Sequence, residues 1–186
     1  MARTASNMMP LGTTAPDFTL LNTVTNEMVT LNHLKSDTAT VIMFICNHCP
    51  YVKLVQEQLV KLANDYQAKG ISFIAISSND VVNYPDDSPE KMKEAAQQLG
   101  YPFPYLYDDT QEIAQAYQAA CTPDFYLFDG ALKCVYRVQL DDARPQGDVP
   151  VTGKDIRAAL DAILTNELVN SAQKPSLGCN IKWKVL

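Results

Sequence analysis

Residues 41–60 read VIMFICNHCPYVKLVQEQLV, and the order of residue types in that stretch leaves few folds open. Val41 to Ile45 form an uninterrupted apolar run, which suits a strand buried on both faces near the middle of a sheet. Pro50 has no amide hydrogen to lose in the first turn of a helix, and Leu54, Val55, Gln58 and Leu59 continue at helical spacing with the apolar positions on one face. Cys46 and Cys49 therefore stand where a central strand turns into a helix. Unpaired amides and the positive end of the helix dipole favour an anion there, so Cys46 is expected to be acidified. His48, protonated or donating a hydrogen bond, adds a second favourable term, although its plainer reading is a solvent-facing helix-cap residue. A lone CxxC is also half of a zinc site, but there is no second CxxC, and the only other histidine, His33, lies upstream. A redox pair tuned for attack on sulfur or peroxide is the better reading, and no metal or other cofactor is expected.

Length and charge narrow the rest. A chain of 186 residues can bury one sizeable α/β core, and its five cysteines are an odd number that does not look like the disulfide framework of a small secreted domain. The net charge of −6 with no strong basic cluster argues against nucleic acid or anionic membrane as partners. No apolar run approaches the roughly 20 residues that span a bilayer, and MARTASNMMPLG lacks the apolar core of a secretory signal, so a cytoplasmic location is expected.

Taken in order, residues 1–12 are polar and are expected to wrap or fray. APDFTLLNTVTNEMVTLNHL alternates in two short runs about a turn at Asn26 and predicts an N-terminal β-hairpin. The dithiol helix should end near Gly70, and Ile71 to Ile76 should form a strand parallel to the first through a right-handed crossover. Ser88-Pro89-Glu90 starts a helix that stops at Gly100. Pro102 and Pro104 allow at most a short edge strand, and Asp109 or Thr110 is expected to cap a helix running through Ala120. Phe125 to Phe128 and Cys134 to Val138 should pair about Asp129-Gly130, and Lys154 to Leu164 should form a last helix covering the sheet. The tail SAQKPSLGCNIKWKVL carries Ile181, Trp183 and Val185 in alternation with lysines, a pattern that docks rather than dangles.

With these elements in view the chain resembles the thioredoxin superfamily from about Ala15 to Leu164. APDFTL, and the apolar strand running directly into a cysteine, resemble its alkyl hydroperoxide reductase and thiol-specific antioxidant branch. CNHCPYVK, ISSNDVVNYPDDSPEKM, ACTPDFYLFD and GCNIKWK together are similar to a little-characterised, peroxiredoxin-related bacterial group. The resemblance implies one thioredoxin-like α/β domain over residues 1–186, a central mixed sheet flanked by helices, with a C-terminal extension at 165–186. It also implies that Pro123 is a cis-proline facing the dithiol, leaving the Thr122 backbone free to pair with an extended substrate segment. Two positions depart from the pattern. Thioredoxins carry a buried aspartate six residues before the first cysteine, where this chain has Thr40. Peroxiredoxins carry a hydroxyl residue three before it, where this chain has Met43.

The function expected from these residues is dithiol–disulfide exchange. Cys46 attacks a disulfide of a protein or small-thiol substrate, Cys49 resolves the mixed disulfide, and a thiol electron donor restores the pair. Asn47, Thr122 and Asp124 are assigned to the substrate side, and Asp124 is the nearest candidate by sequence for the missing base, with a turn or strand-edge aspartate as its plainer role. Cys121 reads as an auxiliary thiol or a small buried residue, Cys134 as structural, and Cys179 as a resolving thiol on an exposed tail or an inert docked one. A peroxiredoxin-like peroxidase, weakened by Met43, and a non-catalytic redox sensor or metal-binding module are the alternatives.

Overall fold

The computed structural model describes residues 3–185. Strand β1 (Arg3–Ala5) leads into a hairpin of β2 (Thr19–Asn22) and β3 (Glu27–Thr30), with Asn26 at φ 61° in its turn. The return strand ends at Thr30, which accepts the His33 amide and caps the one-turn helix α1 (Leu31–Leu34). The buried strand β4 (Ala39–Phe44) follows, then α2 (Pro50–Gln67), β5 (Ile71–Ser77) and, after a 3-10 turn at Pro85–Asp87, α3 (Pro89–Leu99). Ser88 caps α3 through the Lys91 amide, and Gly100 closes it in the left-handed conformation at φ 64°, as the sequence predicts.

The next segment differs from expectation. Residues Tyr105–Tyr107 form β6 not at an edge but between β2 and β5, since Pro102 and Pro104 fall just outside the paired residues. Helix α4 is only Glu112–Ala116: the Thr110 hydroxyl accepts the Glu112 amide at 3.4 Å, and buried Asp108 meets the next two amides, Ile113 at 3.4 Å and Ala114 at 2.9 Å. The chain then passes through β7 (Cys121–Thr122), β8 (Asp124–Asp129), β9 (Cys134–Tyr136), α5 (Lys154–Leu164) and β10 (Leu177–Asn180).

Seven strands make the main sheet in the order β3-β2-β6-β5-β4-β8-β9, with β4 parallel to β5 and antiparallel to β8. One face carries Val41, Met43, Phe73, Ala75, Phe125 and Leu127 against the apolar sides of α2, α3 and α5. The other carries Ile42, Phe44, Ile74, Ile76, Tyr126 and Phe128 against α1 and α4. Both faces being covered explains why β4 reads as a continuous apolar run instead of an alternating one. On α2, Val52, Val55, Leu59, Leu62 and Tyr66 are buried, each large side chain contributing roughly 2 kcal/mol, which fixes the helix whose first turn holds the dithiol. Thioredoxin folds share this mixed sheet flanked by helices.

A second, three-stranded sheet has the order β1-β10-β7. It corrects, for Arg3, Thr4 and Ala5, the expectation that residues 1–12 wrap or fray: they pair with Cys179, Gly178 and Leu177, while residues 1 and 2 lie outside the described residues. No alternation marks Arg3, Thr4 and Ala5 as a strand when their partner lies more than 170 positions away.

Candidate functional site

Four separated stretches of sequence meet at the N-terminus of α2. The turn from β4 into the helix brings Cys46 and Cys49, with Cys49 as the N-cap residue and Pro50 first in the helix. The turn from β7 into β8 brings Thr122 and Pro123, joined by a cis peptide bond, as the resemblance implies. Cys46 Sγ lies 3.3 Å from the Thr122 hydroxyl, and Cys49 Sγ lies 3.2 Å from the Thr122 carbonyl oxygen. All five cysteines are free and buried.

The third stretch is the loop after β5. Asp87, wholly buried, takes up four donors: the amides of Asn47 at 2.7 Å and His48 at 3.3 Å on one oxygen, and His48 Nδ1 at 2.6 Å and Asn79 Nδ2 at 2.8 Å on the other. That carboxylate holds the two residues between the cysteines in place. Burial alone would raise its pKa; the donors, His48 first, outweigh that and hold it below the usual carboxylate range. His48 is therefore no open cap residue: its ring is bonded to Asp87 and stacked on Tyr84 at 5.3 Å. Asn47, assigned to substrate, is already engaged at both ends of its amide, donating to the Asp86 carbonyl at 2.8 Å and accepting from the Tyr105 hydroxyl at 3.2 Å. Its role is corrected to shaping the loop. Asp87 went unassigned in the sequence because nothing in DDSP separates a buried aspartate from the exposed one beside it.

The fourth stretch is the tail. Strand β10 pairs antiparallel with β7, Cys179 opposite Thr122 and Asn180 opposite Cys121. The Thr122 edge that the resemblance leaves free for an extended substrate is thus filled by the chain's own C-terminal segment. Gly178 permits the approach, since a Cβ there would lie 2.0 Å from the Thr122 carbonyl oxygen. Asn79 ties the tail to the dithiol loop, accepting the Lys182 amide at 2.8 Å while donating to Asp87. Cys179 is not on an exposed tail, which corrects that half of its expectation: it is buried, with its sulfur 2.8 Å from Cys49 Sγ.

Electrostatics set the two thiols of the pair apart. The thiol held low is Cys49, at about 5, chiefly because Cys46 donates a hydrogen bond to it, with smaller contributions from the Cys179 thiol and from the amides of Val52 and Cys179. Cys46 is pushed well above the ordinary thiol value by holding that shared proton, by burial, and by the negative charge of Asp87. The helix terminus does favour a thiolate, but the N-cap residue benefits, not the one three positions earlier. The reduced pair carries one charge and one proton between its sulfurs.

Asp124 is displaced from its expected role as well. It alternates with Phe125 along β8, so it lies on the face of Tyr126 and Phe128 while Phe125 shares the face of Cys46 and Cys49. Tyr126 donates to it at 3.1 Å, and burial lifts its carboxyl to about 7. It cannot take a proton from Cys49 across the sheet. Cys121 and Cys134 donate to the carbonyls of Pro123 and Tyr136, both at 3.7 Å, and burial raises both thiols. Thr40, standing where thioredoxins have an acid, is buried and accepts the Ser36 amide.

Cys46, His48 and Asp87 form the one group of three metal-ligand types among the described residues whose ligand atoms lie within 4.8 Å of one another. The fit to a cation is poor. Asp87 has its lone pairs committed to four donors, so binding would cost the bonds that hold the loop. Among the described residues no helix is long and apolar enough to cross a membrane.

Solved structures similar to this chain include an uncharacterised conserved protein from Geobacillus kaustophilus, 64% identical over 100% of this chain and 98% of that one, with a TM-score of 0.98. A hypothetical protein from Sinorhizobium meliloti is 45% identical over 98% of this chain and 100% of that one, with a TM-score of 0.96. The thioredoxin domain of a thiol-disulfide oxidoreductase from Bacteroides vulgatus shares the fold at 21% identity, covering 75% of this chain and 91% of that one at a TM-score of 0.59. No curated protein matches the chain. The AhpC/TSA family model matches residues 11–137, from the hairpin through the dithiol and the cis-proline to the end of β9. The chain belongs to the AhpC/TSA family.

Proposed function

We propose that the protein is a thiol-disulfide oxidoreductase working through Cys46 and Cys49. The observation that carries this reading is the pair of CxxC sulfurs at a helix N-terminus, both in contact with Thr122 beside cis-Pro123. Exchange needs a thiolate and a second thiol within reach, and the reduced pair supplies both near neutral pH. The resting charge sits on Cys49. Moving the shared proton from Cys46 to Cys49 makes Cys46 the nucleophile, with the Thr122 hydroxyl at 3.3 Å to hold the charge that arrives. Cys46 then attacks one sulfur of a substrate disulfide, the other sulfur leaves as a thiolate, and Cys49 attacks the mixed disulfide to release the reduced substrate. A thiol donor returns the Cys46–Cys49 disulfide to the dithiol, and the partners are proteins or small thiols in a cytosolic setting.

Replacing Cys49 with Ser tests this order. The variant should accumulate a mixed disulfide on Cys46 with a disulfide-bonded peptide as probe. Accumulation on Cys49 in the Cys46→Ser variant, with none in Cys49→Ser, would reverse the order of attack.

A second reading, a thiol peroxidase with Cys46 as the oxidised sulfur, is favoured by one observation. The hydroxyl missing at Met43 has a counterpart in Thr122, which places a hydroxyl against Cys46 Sγ. Sulfenic acid formation on Cys46 with hydrogen peroxide, slowed by Thr122→Val, is the outcome that reading expects.

A further inference from the structure

Cys179 is the one buried cysteine outside the CxxC whose sulfur touches a sulfur of the pair. It lies 2.8 Å from Cys49 Sγ, outside the about 2.05 Å of a covalent bond but with no atom between. Its position is built rather than incidental. Strand pairing fixes Cys179 opposite Thr122, Ile181 donates to the Ala120 carbonyl at 3.1 Å, Lys182 is anchored on Asn79, and Gly178 lets the strand lie against the Thr122 carbonyl. A segment that only capped the site would need neither a sulfur there nor this register. The geometry is that of an extended chain delivering a cysteine to a dithiol, supplied by the protein itself.

We propose that Cys179 is a third redox thiol and that β10 is an internal substrate of the dithiol, a proposal that rests on the exchange reading above. In the oxidised protein, Cys179 attacks Cys49 of the Cys46–Cys49 disulfide. The Cys179–Cys49 bond forms as the Cys46–Cys49 bond breaks, Cys46 leaves with the electron pair, and the proton from Cys179 ends on Cys46. The step is an isomerisation, with no net oxidation and no outside reactant. Its product has a free Cys46 thiol and a tail bonded across the edge an outside strand would need. The donor that regenerates the dithiol would then meet a Cys49–Cys179 disulfide.

The test is oxidation of the full chain with diamide, acid quenching, and mapping of disulfide-linked peptides by mass spectrometry. The proposal expects a Cys49–Cys179 link in wild type and in Cys46→Ser. It also expects Cys46 to be alkylated by iodoacetamide in oxidised wild type and protected in oxidised Cys179→Ser. A Cys46–Cys49 link alone in wild type, with Cys179 recovered as a thiol after denaturation, overturns the proposal and leaves the exchange reading standing. Recovery of all three as thiols after diamide overturns both. The wild-type measurement does not depend on any variant folding.

Discussion

The negative charge of Asp87 adds to the hydrogen bond with Cys49 and to burial in raising the Cys46 thiol. Asp87→Asn keeps a side chain able to accept the loop amides and removes that charge. The Cys46 titration, followed by thiolate absorbance in Cys49→Ser to isolate it, should shift downward relative to the same background with Asp87 intact. No change would mean Asp87 acts on the loop alone. Asp124 makes a separate prediction. Its folded carboxyl, lifted to about 7 by burial, holds its proton longer than it does unfolded. The stability this contributes is complete below the ordinary carboxylate range and is lost as the pH rises through about 7. Denaturant unfolding of Asp124→Asn should therefore lose most of the decline in stability that wild type shows between about pH 4 and pH 7. An unaltered slope would assign the decline elsewhere. These two aspartates show what residue types reveal and what they hide. The CxxC with Pro50 announced a dithiol at a helix start, but one cause of the raised Cys46 thiol is Asp87, a residue 38 positions after Cys49 that meets the dithiol loop only in the fold.

At the scale of elements, legibility followed locality. The strand–helix–strand unit from β4 to β5 and the caps of α3 were readable because each depends on near neighbours: an apolar run, Ser88, Pro89, Gly100. Strand β6 was placed at an edge because prolines forbid sheet pairing only where they fall, and Pro104 falls one residue outside it. Strands β1 and β10 were not readable as a pair, since their partner is the other end of the chain. The tail strand also yields a sharp test. Gly178→Ala would place a Cβ 2.0 Å from the Thr122 carbonyl oxygen, with backbone on both sides and no flexible end to move aside. Strand β10 should lift, and alkylation of the CxxC thiols should speed up about tenfold, equivalent to ~1.4 kcal/mol of lost docking. Wild-type rates in a folded variant would mean that the tail does not cover the dithiol.

For the whole molecule, the sheet, the α2 terminus, the cis-proline turn, the loop after β5 and the tail converge on three sulfurs, each near the next. The four sequence stretches that carried the family resemblance are those that meet there. Reduced protein should gain stability relative to oxidised protein as the pH rises from about 5 toward the ordinary thiol range, because the depressed Cys49 thiol titrates earlier folded than unfolded and the disulfide has no such group. Paired unfolding curves of the two redox forms across that range check the sign. The most direct measurement is equilibration of the full chain in glutathione buffers of graded potential, read by intact mass and alkylation. The expected result is a reversible two-electron transition to an intramolecular disulfide that includes Cys49. Thiols that stay reduced across the series, or that end only as separate glutathione adducts, would contradict the assignment of this site to disulfide exchange.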